Sequence, residues 1–146
     1  MALPYVRTVP LSRYGPDAPA IPRLARSLRV LGHDVDACWP RRSRASDGWI
    51  GDAEHQARVS DHNPDARGLV HALDITAAQI DPWAVVVAAC VHPGTHYVIY
   101  RGRIFAANQQ FMARKYTGPD PHNTHVHVSI LHTQAAERAQ RHWLVC

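Results

Sequence analysis

The chain has 146 residues, 46% of them hydrophobic, which fits a single packed domain and excludes a disordered tail. No apolar run approaches the ~20 residues needed to cross a bilayer, and the start, Met1-Ala2-Leu3-Pro4-Tyr5-Val6-Arg7, lacks the pattern of a secretory signal. Lys and Arg outnumber Asp and Glu 16 to 12, giving a net charge of +4 and a pI near 9.3. That charge suits an acidic partner such as an anionic wall polymer, a membrane surface or nucleic acid. The Arg residues are scattered and no nucleic-acid motif is present, so no specific nucleic-acid partner is expected.

In chain order, Ala18 to Leu31 reads as a helix. Ile21, Leu24, Leu28 and Leu31 recur at helical spacing, Pro22 suits the first turn, and Gly32 suits a stop. Arg23, Arg26 and Arg29 lie off that stripe and read as a solvated face. Trp39 to Gly48 is basic, polar and loop-like. Leu69 to Thr76 reads as a strand. Asp81-Pro82 looks like an N-cap followed by a first-turn Pro, opening a helix through Ala89, although its Val-rich middle also suits a buried strand. Tyr97–Tyr100 and Arg103–Ala106 read as two strands turning at Arg101-Gly102. Phe111 to Pro121 reads as a loop, His125 to Leu131 as a period-2 strand, and Ala135 to Val145 as a closing helix.

The three cysteines, Cys38, Cys90 and Cys146, are odd in number, far apart and without a CxxC pair. That argues against a disulfide framework and against a Cys-based zinc site, so three ordinary thiols in a reducing cytoplasm are expected. The 11 His are clustered instead: His55, His62 and His71 form one group, and His122, His125 and His127 another. His is the commonest metal ligand and a frequent acid or base.

Alternate strand residues share a face, so His125, His127 and Ser129 form a polar face and Val126, Val128 and Ile130 the core face. His62 lies in the turn-rich run Ser60-Asp61-His62-Asn63-Pro64-Asp65. Asp74 interrupts an apolar strand, where a carboxylate is costly unless paired or bound to metal. A His, an Asp and a distant His make a common zinc shell, and three protein ligands leave a fourth position for water. His71 is the rival to Asp74; three positions apart on a strand, the two face opposite sides.

Ser60-x-His62, Gly68, Ala72-x-Asp74 and His125-x-His127 together resemble the zinc peptidases of the M15 type, within the wider group of lysostaphin-like and D-Ala-D-Ala-cleaving enzymes. The runs Trp49–His55, Ser60–Asp65 and His122–Ser129 are most similar to the peptidase domains of endolysins from phages of actinobacteria. The resemblance covers about Gly48 to Ile130; the first 47 residues match no motif, and the length of the chain is what makes residues 1–146 read as one domain. It implies an α+β fold, with a small antiparallel sheet, helices packed on one side and a zinc ion at the sheet. The implied ligands are His62, Asp74 and His127. Two features depart from the pattern. Asn63 to Gly68 lengthens the loop between the first His and Asp, and Thr124 stands where many relatives carry a Glu base. The proton-handling role then falls to His125 or His122, with Glu54-His55 a weaker candidate. The implied activity is hydrolysis of the peptide stem of bacterial peptidoglycan, as an endopeptidase of the L-Ala/D-Glu type. A D-Ala-D-Ala carboxypeptidase and a catalytically weak zinc-containing wall-binding module are the alternatives. The expectation is a monomer, or one module of a longer enzyme, made in the host cytoplasm and acting on the wall after release.

Overall fold

The computed structural model describes residues 21–52 and 57–146. The expected helix start at Ala18, and the candidates Glu54 and His55, lie outside the described residues. The described chain is an α+β fold. Strand β1 (Arg23–Leu24) leads into helix α1 (Arg26–Cys38), and β2 (Leu69–Val70) is followed by β3 (Ala72–Thr76). Helix α2 (Pro82–Val91), β4 (Thr95–Tyr100), β5 (Arg103–Ala106), β6 (Arg114–Lys115), β7 (His125–Ile130) and helix α3 (Gln134–Arg138) complete the order. The main sheet is antiparallel with strand order β3-β7-β4-β5-β6, and β1 pairs with β2 in a separate parallel pair.

Helix α1 starts later and ends later than its sequence pattern suggests. Arg23 and Leu24 are spent on β1, so the helix opens only after Ala25. Gly32 is not a stop: it is buried inside the helix, which runs on to Cys38. Leu28, Leu31 and Val35 form one continuous buried stripe. Extending that stripe outweighs the cost of one mid-helix Gly, about 1 kcal/mol. Helix α2 is a helix and not a strand, opened by the Asp81 carboxylate accepting from the backbone N–H groups of Trp83 and Ala84. Val85, Val86, Ala88 and Ala89 enter the core beside Val98, Val126, Val128 and Ile130.

Residues 69–76 are not one strand. The chain breaks at His71, whose N–H donates to the Asp61 carbonyl while its own carbonyl accepts from Ile130 N–H. The β4–β5 hairpin turns at Arg101 (φ 46°) and Gly102 (φ 69°), the positive-φ pair that a tight two-residue turn needs. Arg101 is held there because its N–H donates to the His122 carbonyl, and Gly102 N–H donates to that of Pro121.

The closing helix is shorter than expected. It covers Gln134–Arg138, and the chain from Ala139 on has no regular secondary structure. Outside the helix Trp143 enters the core, where its indole N–H donates to the Ser27 carbonyl and its ring stacks on His92. Cys38 and Cys146 are joined in a disulfide with Cα atoms 6.1 Å apart, which corrects the expectation of three free thiols; only Cys90 is free. The two cysteines are 108 positions apart, so their proximity is a product of the fold. No helix among the described residues is long and apolar enough to cross a membrane.

Candidate metal centre

Three side chains converge on one face of the main sheet. In the β3–β7 register Asp74 stands directly opposite His127, which places their side chains on the same face. His62 reaches the same point from its loop. The Ser60 hydroxyl accepts from His62 N–H, and the His62 carbonyl accepts from Gly51 N–H, which pins the turn. Gly48 in turn pairs with Asp74 across two backbone hydrogen bonds.

The ligand atoms form a tight triangle. His127 Nδ1 is 3.0 Å from Asp74 Oδ1, His62 Nε2 is 3.2 Å from Asp74 Oδ2, and the two ring nitrogens are 3.1 Å apart. The outer nitrogen of each ring has its own partner. His62 Nδ1 lies 3.0 Å from the Trp49 carbonyl oxygen, and His127 Nε2 lies 2.9 Å from Ser129 Oγ. A carbonyl only accepts, so His62 Nδ1 carries the hydrogen and Nε2 presents a lone pair. With the Ser129 hydroxyl accepting from His127 Nε2–H, Nδ1 of that ring presents a lone pair as well. Two lone pairs and a carboxylate then face one another across about 3 Å, an arrangement that a cation resolves. A tetrahedral zinc with bonds of about 2.0–2.1 Å sets its ligand atoms about 3.3 Å apart. The residues therefore fit a divalent metal, and imidazoles oriented through their far nitrogens are the usual second layer of such a site.

Electrostatics follow from the packing. Burial disfavours the Asp74 anion, yet when the facing nitrogens of His127 and His62 carry protons in place of those lone pairs, their hydrogen bonds and charge win and hold its carboxyl well below the usual range. Burial likewise opposes protonation of His62, but Asp74 outweighs it and raises the His62 pKa. Burial wins at His127, whose pKa is lowered despite Asp74.

Behind His127 the outer contacts continue. The Tyr97 ring stacks on it with centroids 5.4 Å apart. Burial raises the pKa of the Tyr97 hydroxyl, which hydrogen-bonds with Ser129 and Asp61. Asp61 in turn is 2.8 Å from His132 Nε2.

A cleft of about 360 Å³ opens over the triangle. Arg58, Val59, Tyr116, Pro119 and Asp120 line its mouth, and His122 and His125 stand beside the three ligand residues. His125 Nε2 is 3.8 Å from Asp74 Oδ2, and its Nδ1 is 3.1 Å from Thr124 Oγ1. The His122 ring lies 5.3 Å from that of His127 and 4.9 Å from that of His125. Burial, then the neighbouring His127 and His125, push the His122 pKa down to about 4 against the pull of Asp120.

The five residues singled out in the sequence, His62, Asp74, His122, His125 and His127, therefore meet in one cleft. His71 does not join them. It is fully buried elsewhere, with Nε2 2.8 Å from Glu137 Oε1, and Glu137 also accepts from both terminal nitrogens of Arg67. That engagement removes Glu137 as a base for the cleft. Sequence reasoning missed Tyr97, Arg58 and Tyr116 as cleft residues and the Trp49 carbonyl as the anchor of His62. It placed Ser129 on the His face, and the period-2 pattern was the available signal for its contact with His127.

Comparison with protein-family models, with curated proteins and with solved structures finds no match.

Proposed function

We propose that this chain is a zinc metallopeptidase that cleaves the peptide stem of bacterial peptidoglycan, as an endopeptidase of the L-Ala/D-Glu type from a phage lysis system. The observation that carries the reading is the open triangle of His62 Nε2, Asp74 and His127 Nδ1, with two further imidazoles beside it in the same cleft. Three protein ligands with an open side are the mark of a catalytic zinc site, whereas structural zinc is enclosed by four. The order of motifs resembling wall-cleaving zinc peptidases supplies the substrate class, and the excess of Arg suits an anionic wall.

His62, Asp74 and His127 would hold the zinc, which when bound would supply Lewis acidity toward water and a scissile carbonyl. The remaining roles belong to the chain. The two imidazoles are oriented by their outer hydrogen bonds to the Trp49 carbonyl and Ser129, and Asp74 is fixed opposite His127 by the strand register. His125, flanked by Asp74 and Asp120 at 3.8 and 3.9 Å, is positioned to accept a proton and pass it to the leaving amine. His122, neutral at physiological pH given a pKa near 4, is placed to donate a hydrogen bond to the developing oxyanion. Arg58 at the cleft mouth offers a fixed positive charge to a stem carboxylate.

Mass analysis of fragments released from purified peptidoglycan tests this reading. New L-Ala carboxyl and D-Glu amino ends support it. Loss of a terminal D-Ala alone replaces it with a D-Ala-D-Ala carboxypeptidase. A zinc-loaded, folded protein that binds wall and releases nothing is a binding module instead.

A further inference from the structure

Beside the triangle lies a second set of donors. Asp120, His122 and His125 each offer one ligand atom, and those atoms lie within 4.8 Å of one another. His125 Nε2 is 3.9 Å from Asp120 Oδ2, and the Thr124 hydroxyl holds the opposite nitrogen of that ring at 3.1 Å. That is the same outer arrangement seen at His62 and His127, with the far nitrogen engaged and the near one left facing the cleft.

His122 adds an independent sign. It is 9% exposed, and its Nδ1 is buried without a hydrogen-bond partner. A stranded buried nitrogen costs about 1–3 kcal/mol. The backbone also sits at φ 57°, a left-handed conformation that costs a non-Gly residue energy. That conformation is fastened by the Asp120 carboxylate, which accepts from His122 N–H at 2.8 Å, and by the hairpin, whose Arg101 N–H donates to the His122 carbonyl. A cation held by the His122 ring would give this buried imidazole a partner and neutralise Asp120.

We propose that Asp120, His122 and His125 form a second, weaker divalent-cation site, and that zinc bound there halts hydrolysis by occupying the imidazole that moves the proton and the one that donates to the oxyanion. Two imidazole nitrogens and one carboxylate are a donor set that favours zinc over magnesium or calcium. The site is weaker because Asp120 is largely exposed and its oxygen is farther from its partner than any pair in the first triangle. The inhibitory part rests on the peptidase reading; the binding part does not.

The test is a calorimetric titration of the metal-stripped full chain with zinc chloride, with bound zinc counted by atomic emission after dialysis. The expected result is two equivalents of unequal affinity. Asp120→Asn keeps an oxygen to cap His122 N–H, so the loop is retained. It should weaken the second equivalent at least about tenfold while the first is unchanged. His127→Ala should lose the first equivalent and keep the second. In the hydrolysis assay, the zinc concentration that halves the rate should rise with Asp120→Asn by the same factor. A single equivalent in the wild type, or a second one indifferent to Asp120→Asn, overturns the site. Two equivalents with full hydrolysis at saturating zinc overturn the inhibition. Two equivalents in a protein that never hydrolyses wall sink the peptidase reading, and the inhibition with it, while the second site stands.

Discussion

Ser129→Ala removes the group that orients His127. Ser129 is fully buried, and its Oγ lies 2.9 Å from His127 Nε2. Without it, a ring N–H is left unpaired in a dry place, at about 1–3 kcal/mol. Much of that loss is common to the metal-free and metal-loaded forms and lowers stability in both. The loaded form loses more, because an imidazole on a cation is a stronger donor, and charge-assisted hydrogen bonds are about twice as strong as neutral ones. Outer partners of this type are worth about 10–100-fold in metal affinity, or about 1.4–2.7 kcal/mol. Competition against a chromophoric chelator at fixed pH measures the effect, with circular dichroism checking the fold. The zinc dissociation constant should rise by that factor. An unchanged constant in a folded variant would refute the claim that Ser129 sets the lone pair at His127 Nδ1.

Three further outcomes follow from other parts of the molecule. His125→Ala should retain one tightly bound zinc and lower kcat about 10²–10⁴-fold, the usual worth of a general acid or base; loss of zinc instead would make His125 a ligand. Hydrogen bonds from Arg67, reinforced by His71, hold the Glu137 pKa at about 2, below its ordinary 4.5, against the effect of burial. A depressed carboxylate stabilises the fold above its unfolded pKa and loses that contribution as pH falls through the folded one. The wild type should therefore lose Tm between pH 4.5 and 2 more steeply than Glu137→Gln, and equal slopes would contradict the coupling. Cys146→Ser opens a covalent loop between positions 108 apart. It should cost about 2–4 kcal/mol in denaturant unfolding without reductant. Reductant should bring the wild type down to the variant and leave the variant unmoved; no difference would mean that the bond does not form.

Much of the site could be read from periodicity. The run His125-Val126-His127-Val128-Ser129-Ile130 allows one strand with three apolar residues inward, which delivers His127 and Ser129 to one face. The Asp81-Pro82 cap and the Arg101-Gly102 turn are local chemistry, and both form where they were expected. Long-range features were not legible. Cys38 and Cys146 meet because α1 and the C-terminal segment pack together around Trp143, and no spacing rule reports that. Gly32 looked like a stop because a local signal was weighed without the buried stripe continuing to Val35. The closing helix stops at Arg138, and Trp143 is committed instead to long-range contacts with Ser27 and His92 that local periodicity does not report. The Trp49 carbonyl that orients His62 is backbone and leaves no residue-type signature.

The proposed mechanism depends on a zinc ion held by His62, Asp74 and His127. Anomalous diffraction at the zinc edge from crystals of the zinc-loaded protein tests it most directly. A strong peak is expected about 2.0–2.2 Å from His62 Nε2, His127 Nδ1 and an Asp74 carboxylate oxygen, with the fourth position open to the cleft. A peak confined to His71 and Glu137, or a fourth protein ligand closing the site, would contradict it.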